Sequence, residues 1–434
     1  MTEGDSARKE SASRIWRNHD VAKIDDRRRR SRNAAATSRR GTYARPSRFA
    51  SARPSGPRLR VSTCGSSLGP LRPSRRTRAR PRKPPPPPFA TMSVASLRLE
   101  LMDQSLGMPR RFRALFGLRS VGSDASVSAL LDSLVDPSAL FKHEVAFALG
   151  QMQAQAAVAT LKTILVDEKE HGMVRHEAAE ALGAIASDEC LDALETACGD
   201  ESQVVRETAV LALQRFRYAA AMRNGGVKSP KKAKEENQKT LGSAKEKLCS
   251  SVLGGTTNTT PAATTDTSHD SPYISVDPVP AASVHIPLDQ LKLCLLDEAK
   301  PLWDRYAAMF ALRNRGGAPE VAKVLAEVLV TSKSALLKHE VCYVLGQIQE
   351  RGEGARAALT TVLENCNEHP MVRHEAAEAI GSIAAVHTKS LLEKYRSDTC
   401  QIVAESCEVA LDMMEMEIND EFVPLVVEAQ TASA

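Results

Sequence analysis

The chain has 434 residues, 42% hydrophobic and only 4% aromatic, with a formal net charge of +5. No apolar run approaches the roughly 18 residues of a membrane span, and so few aromatic rings argue against a base-stacking single-strand binder. Nine cysteines without a C-x-x-C pair or a secretory h-region point to a reducing compartment and a cytoplasmic protein, with the thiols as small core residues.

The charge is unevenly spread. Residues 1–91 hold 24 Lys+Arg against 6 Asp+Glu, which leaves 34 basic and 47 acidic residues in 92–434, a net of −13. The basic pI therefore belongs to the head of the chain, and no direct nucleic-acid binding is expected of the acidic remainder. Residues 1–91 ("DDRRRRSRNAAATSRR", "RPSRRTRARPRKPPPPPFATM") show no helical or strand period and are expected to be disordered. Asp20, Asp25 and Asp26 speak against a transit peptide, which is poor in acids, and Met92 is the expected natural start.

Residues 92–218 form a first helical half. A Lys/Glu/Thr/Ser/Gly/Pro-rich stretch, 219–285, follows and reads as a flexible linker. Residues 286–425 form a second half, with 426–434 as a tail. The halves are copies: "HEVAFALGQMQ" (143–153) matches "HEVCYVLGQIQ" (339–349) at seven of eleven positions. "GMVRHEAAEALGAIA" (172–186) matches "PMVRHEAAEAIGSIA" (370–384) at twelve of fifteen, and "RFRALFGLR" (111–119) pairs with "RYAAMFALR" (305–313).

Within each half a shorter period runs, 33 residues from His143 to His176 and 35 from His339 to His374. That period with helical patterning predicts an all-α chain, an α-solenoid of two-helix repeats in two pseudo-two-fold related halves of about four repeats each. Ala178, Ala181, Leu182 and Ile185 make one apolar stripe at helical spacing.

Four of the ten histidines precede a glutamate: His143-Glu144, His176-Glu177, His339-Glu340 and His374-Glu375. All four pairs sit at the same place in the repeat. At the equivalent place of the last repeats, Glu207 follows Arg206 and Glu405 follows Ala404, so the His is confined to two neighbouring repeats per half. Equivalent places on stacked repeats project from one side, and folding one half against the other brings eight potential ligands into one cleft, as in bundle di-iron proteins. Two His and a carboxylate per half is the facial-triad set of non-haem iron. From ligand types alone a dinuclear zinc or manganese hydrolase stays open. No cysteine falls in the constellation, which makes structural zinc and iron–sulfur readings poor.

His171 and His369 lie five residues before a ligand His; a histidine at a helix start reads as a polar loop residue rather than a support for the ligands. Gly150, Gly183, Gly346 and Gly381 each follow a His by seven residues, and a helix-interior Gly implies close helix packing beneath the site.

The paired segments "KHEVAFALGQMQ" with "HGMVRHEAAEALGAIA", and "KHEVCYVLGQIQ" with "HPMVRHEAAEAIGSIA", resemble deoxyhypusine hydroxylase, the HEAT-repeat di-iron monooxygenase, over about 95–218 and 286–425. The resemblance implies HEAT-like repeats and hydroxylation, with molecular oxygen, of the deoxyhypusine side chain of eukaryotic translation initiation factor 5A. It implies two iron ions (Fe2+) per chain: His143, His176 and Glu177 on one, His339, His374 and Glu375 on the other. Glu144 and Glu340 match family glutamates beside the irons, which complete the ligand set or bind the cationic amines of the substrate. No catalytic residue beyond the metal site is implied, and a monomer is expected. The competing readings are a non-catalytic HEAT adaptor and a phycobilin-lyase-like repeat protein. The fourfold His-Glu register favours the hydroxylase over both.

Overall fold

The helix boundaries follow local signals. Ser93, Ser123, Ser138 and Ser334 each accept a hydrogen bond from the N–H three residues on, and so cap the helices they precede. Pro319 and Pro370 occupy first-turn positions, where a missing N–H is harmless. The computed structural model describes residues 92–223, 271–273, 275–283, 285–349 and 353–419. The expected disordered head 1–91, most of the expected linker and the tail 426–434 lie outside the described residues.

Sixteen α-helices and no strand are found among the described residues. The first half contains α1 (Val94–Met102), α2 (Met108–Val121), α3 (Asp124–Asp132) and α4 (Ala139–Gln151). It continues with α5 (Val158–Val166), α6 (Gly172–Ile185), α7 (Leu191–Ala197) and α8 (Gln203–Arg223). The second half repeats the pattern: α9 (Leu288–Leu296), α10 (Leu302–Asn314), α11 (Pro319–Thr331) and α12 (Ala335–Ile348). It ends with α13 (Glu353–Glu364), α14 (Pro370–Ile383), α15 (Lys389–Tyr395) and α16 (Gln401–Asn419). Eight helices per half are four two-helix repeats, the architecture the period predicts. Among the described residues no helix is long and apolar enough to cross a membrane.

The even-numbered helices stack side by side as one layer, α4 on α6 on α8 and α12 on α14 on α16. α6 is buried nearly all round: the stripe of Ala178, Ala181, Leu182 and Ile185 is buried, and so are Arg175, His176 and Glu177. Glycines allow this closeness. A Cβ on Gly150, Gly183 or Gly381 would stand within 2.9 Å of Ala181, Ala212 or Ala410 of the next helix, against 3.3 Å at Gly346.

A buried arginine recurs in the first turns of α2, α6, α10 and α14. Arg111, Arg175, Arg305 and Arg373 each donate Nε–H to the carbonyl ten residues back, tying the layer to the outer helix before it. Arg111, Arg175 and Arg373 also pair with Asp136, Asp200 and Asp398, each 25 residues on. Arg305 uses Glu298 and Ser332 instead. Burial pushes the Asp398 carboxyl up, but the Arg373 guanidinium outweighs it and holds the carboxyl below its usual range. Arg373→Met removes one partner of a pair whose side chains are 4% and 6% exposed, so it is expected to cost about 3 kcal/mol in denaturant unfolding at neutral pH. The folded carboxyl titrates low, so the pair's contribution is complete above the unfolded carboxylate value of about 4 and is lost as pH falls through the lower folded value. The gap between variant and wild type should narrow in acid.

Each half also closes on the other. α8 packs on α10 and α12, and α16 on α2 and α4. Ser138, the cap of α4, donates its hydroxyl to Glu405 Oε2 of α16 at 2.7 Å. Ser334, the cap of α12, donates to Glu207 Oε2 of α8, also at 2.7 Å. The two glutamates that lack a preceding histidine thus join the halves.

The stretch expected as linker, 219–285, differs from that expectation at both ends. Residues 219–223 continue α8, and 271–273 and 275–283 lie against the helices with Tyr273 buried and Val279 fully so. Its Ser/Pro-rich composition suggested a solvated chain. Arg313 of α10, fully buried, needs a counter-charge, and Asp277 supplies it with bonds of 2.8 and 2.5 Å.

Candidate metal centre

A His and a Glu adjacent on one helix offer only two donors, too few to hold one ion unaided. The stacked layer solves this by aiming the histidine of one helix at the glutamate of the next. In the first half, His143 Nε2 of α4 and His176 Nε2 of α6 lie 3.2 and 3.7 Å from Glu177 Oε2. In the second, His339 Nε2 of α12 and His374 Nε2 of α14 lie 3.4 and 3.8 Å from Glu375 Oε2. The two clusters meet. Ring centroids are 5.2 Å apart between His143 and His374, and 5.5 Å between His176 and His339.

All eight residues singled out from the sequence come together here, and none is more than 7% exposed. A solvated polar helix face is thereby excluded. The Nε2 atoms of all four histidines are buried without a hydrogen-bond partner, as are Nδ1 of His339 and His374. Six orphaned ring nitrogens in one place would each forfeit a hydrogen bond, and a metal ion is the species that satisfies convergent Nε2 lone pairs. The ligand atoms of His143, His176 and Glu177 lie within 4.8 Å of one another, as do those of His143, His339 and His374, and of His374, Glu375 and Glu378.

Protonation follows from the same crowding. Burial, then the neighbouring histidines, holds His176 and His374 well below the usual histidine value, so both are neutral, the form that ligates. Burial also opposes charge on His143, but the Glu177 and Glu144 carboxylates outweigh it and raise its pKa. Glu144 Oε1 stands 3.1 Å from His143 Nδ1. With the proton on Nδ1 that contact orients the ring and leaves Nε2 free. Burial pushes Glu340 well up, helped by Asp277, Glu375 and Glu177 and opposed by Arg313.

Two residues escaped the sequence reading. Glu180 and Glu378 stand one turn beyond Glu177 and Glu375, inside the repeated nonapeptide "MVRHEAAEA" itself. Burial and the surrounding carboxylates push both well up. Glu378 Oε1 is buried, without a hydrogen-bond partner, 3.6 Å from His374 Nδ1. The repeat of that last Glu in both copies was the available signal. His171 and His369 do what a polar helix-start residue does: each Nδ1 accepts the N–H two residues on at 3.2 Å, capping α6 and α14.

The cluster faces a cleft, partly open to solvent, walled by Phe147, Tyr343, Glu180 and residues 275–278. The Phe147 and Tyr343 rings meet edge to face at 6.0 Å. Apolar walls over a floor of carboxylates and unpartnered imidazoles suit a cationic, methylene-rich ligand.

Comparison with known proteins follows the same lines. The HEAT-repeat family model matches residues 166–223 and 322–412, and the PBS lyase HEAT-like repeat matches 141–167. Deoxyhypusine hydroxylase-B of Oryza sativa subsp. japonica is 43% identical over 318 residues, 73% of this chain and 91% of that protein. Deoxyhypusine hydroxylase of Danio rerio is 40% identical over 329 residues, 76% of this chain and 94% of that one. The solved structure of human deoxyhypusine hydroxylase in complex with glycerol aligns with a TM-score of 0.60 at 40% identity, covering 74% of this chain and 96% of that chain.

Proposed function

The chain belongs to the deoxyhypusine hydroxylase family, and from that premise we propose that it is an oxygen-dependent, non-haem di-iron monooxygenase. Its substrate is the deoxyhypusine side chain of eukaryotic translation initiation factor 5A, and its product is hypusine. The observation that carries this reading is the pair of buried His–His–Glu clusters with four unpartnered Nε2 atoms. His143, His176 and Glu177 would hold one iron, and His339, His374 and Glu375 the other. Imidazole and carboxylate donors with no thiolate fit iron. Iron, when bound, supplies the redox chemistry by which one oxygen atom enters a C–H bond and the other leaves as water, with two electrons from an external reductant.

The protein's own part is placement. Ligands on rigid, close-packed helices cost little reorganisation. Glu144 holds the Nδ1 side of His143. Glu144 and Glu340, beside the irons, receive the ammonium groups of the substrate, while Phe147 and Tyr343 flank its methylenes and exclude water. The net charge of −13 over 92–434 attracts a basic partner surface. The full sets of paired clusters favour this reading over a HEAT adaptor, which has no use for buried, unpartnered imidazoles. Purified protein is expected to hold about two irons per chain and to convert deoxyhypusine to hypusine only in the presence of oxygen. Elemental analysis and peptide mass spectrometry check both, and protein without iron that still turns over would overthrow the assignment.

A further inference from the structure

The site is built twice, but the cleft over it is lopsided. Its residues come in pairs across the pseudo-two-fold relation: His143 with His339, Glu144 with Glu340, Phe147 with Tyr343, Glu177 with Glu375. Both members of each of these pairs line the cleft. Gln151 and Glu180 line it too, but their counterparts Gln347 and Glu378 do not and are only 3% and 2% exposed. The cause is the segment 275–278. Val276 is clamped through both backbone groups by the Gln151 amide, at 2.8 and 3.1 Å. Asp277 is held by Arg313, which also donates to Gln347 at 3.0 Å and so occupies the side chain that would mirror Gln151. One connecting segment thus binds both halves and makes the cleft lopsided.

At the open side stands Glu180. It is half-buried where Glu144, Glu177, Glu340 and Glu375 are each buried, so it is the outermost glutamate of the cleft. The same cleft has the unpartnered Nε2 atoms of His143 and His339 at its floor. Resting on the proposed function, we infer that the substrate side chain enters only at this mouth, beside residues 275–278, and that Glu180 receives the ammonium nearer the substrate's own backbone. Deoxyhypusine carries two amines joined by a butyl spacer. The secondary amine, closer to the partner protein, meets Glu180, and the terminal amine reaches the buried glutamates. Glu378, sealed against His374, has no part in substrate binding.

Steady-state hydroxylation of the deoxyhypusine form of initiation factor 5A, with iron content measured on the same samples, tests this. Glu180→Gln should raise KM about tenfold while kcat stays within about twofold, since it weakens a contact made equally before and during reaction. Its iron content should equal that of wild type, and Glu180→Asp should fall between the two in KM. A wild-type KM in Glu180→Gln, loss of iron from it, or an equal KM rise with retained iron in Glu378→Gln overturns the inference. Should Glu180→Gln not fold, an unchanged KM in Glu180→Asp overturns it. Wild-type protein lacking iron or turnover removes the proposed function itself, a distinct outcome.

Discussion

His374→Ala is expected to abolish hydroxylation, to remove one of the two irons and to leave helical content nearly unchanged. His374 is fully buried, and its Nε2 and the Nε2 of His339 face the same Glu375 oxygen. Removing one of three donors opens a set that the other two cannot close. Even supporting contacts around a metal are worth 10- to 100-fold in affinity or activity, so a direct ligand should cost about 1,000-fold or more. The metal-free fold should hardly notice. The imidazole it loses has both nitrogens unpartnered, and deleting buried unsatisfied atoms offsets part of the cavity cost. Iron should raise the thermal midpoint of wild type by binding the folded state, and raise that of His374→Ala less. His176→Ala should behave alike in the other cluster. Circular dichroism, elemental analysis and product mass spectrometry on the same protein decide it. Full iron occupancy in either variant contradicts the ligand assignment.

A second pair of variants separates holding metal from holding substrate. Glu177 Oε2 lies within 3.7 Å of two Nε2 atoms, whereas Glu144 Oε1 sits on the Nδ1 side of His143. Glu177→Gln should therefore lose iron first, because an amide is a poorer donor to a hard cation than a carboxylate. Glu144→Gln should keep both irons, since its amide oxygen can still accept from Nδ1–H. It should bind the deoxyhypusine protein 10- to 100-fold more weakly, as a charge-assisted hydrogen bond of roughly 1.5–3 kcal/mol becomes a neutral one. Iron content and substrate affinity are read together. If Glu144→Gln loses iron as readily as Glu177→Gln, all eight residues are ligands.

What was legible in the sequence was whatever repeats. The 33–35 residue period predicted paired helices, and the recurrence of His-Glu at one register predicted that those eight residues would meet. Three things were hidden. Glu180 and Glu378 sit in the repeated peptide, but a glutamate on a helix reads as solvated until its neighbours are known to bury it. Asp277 lies in a stretch without period, and its partner Arg313 is 36 residues away. The role of Glu207 and Glu405 depends on serines 127 and 267 residues distant, a separation that no local pattern encodes.

Those crossed serine–glutamate bonds carry a consequence for the order of events at the ribosome. The cap of α4 can be made early, but its hydroxyl has no acceptor until Glu405 has been synthesised, and Arg113 of α2 waits still longer for Asp412. The first His–His–Glu cluster is complete in covalent terms by residue 177, yet α4, already packed on α6, gains the Glu405 acceptor for its cap only when α16 has emerged. Contacts of such long sequence separation form late. Enclosure of the first cluster is thus postponed to the end of translation, and the nascent N-terminal half leaves the tunnel as an open cradle.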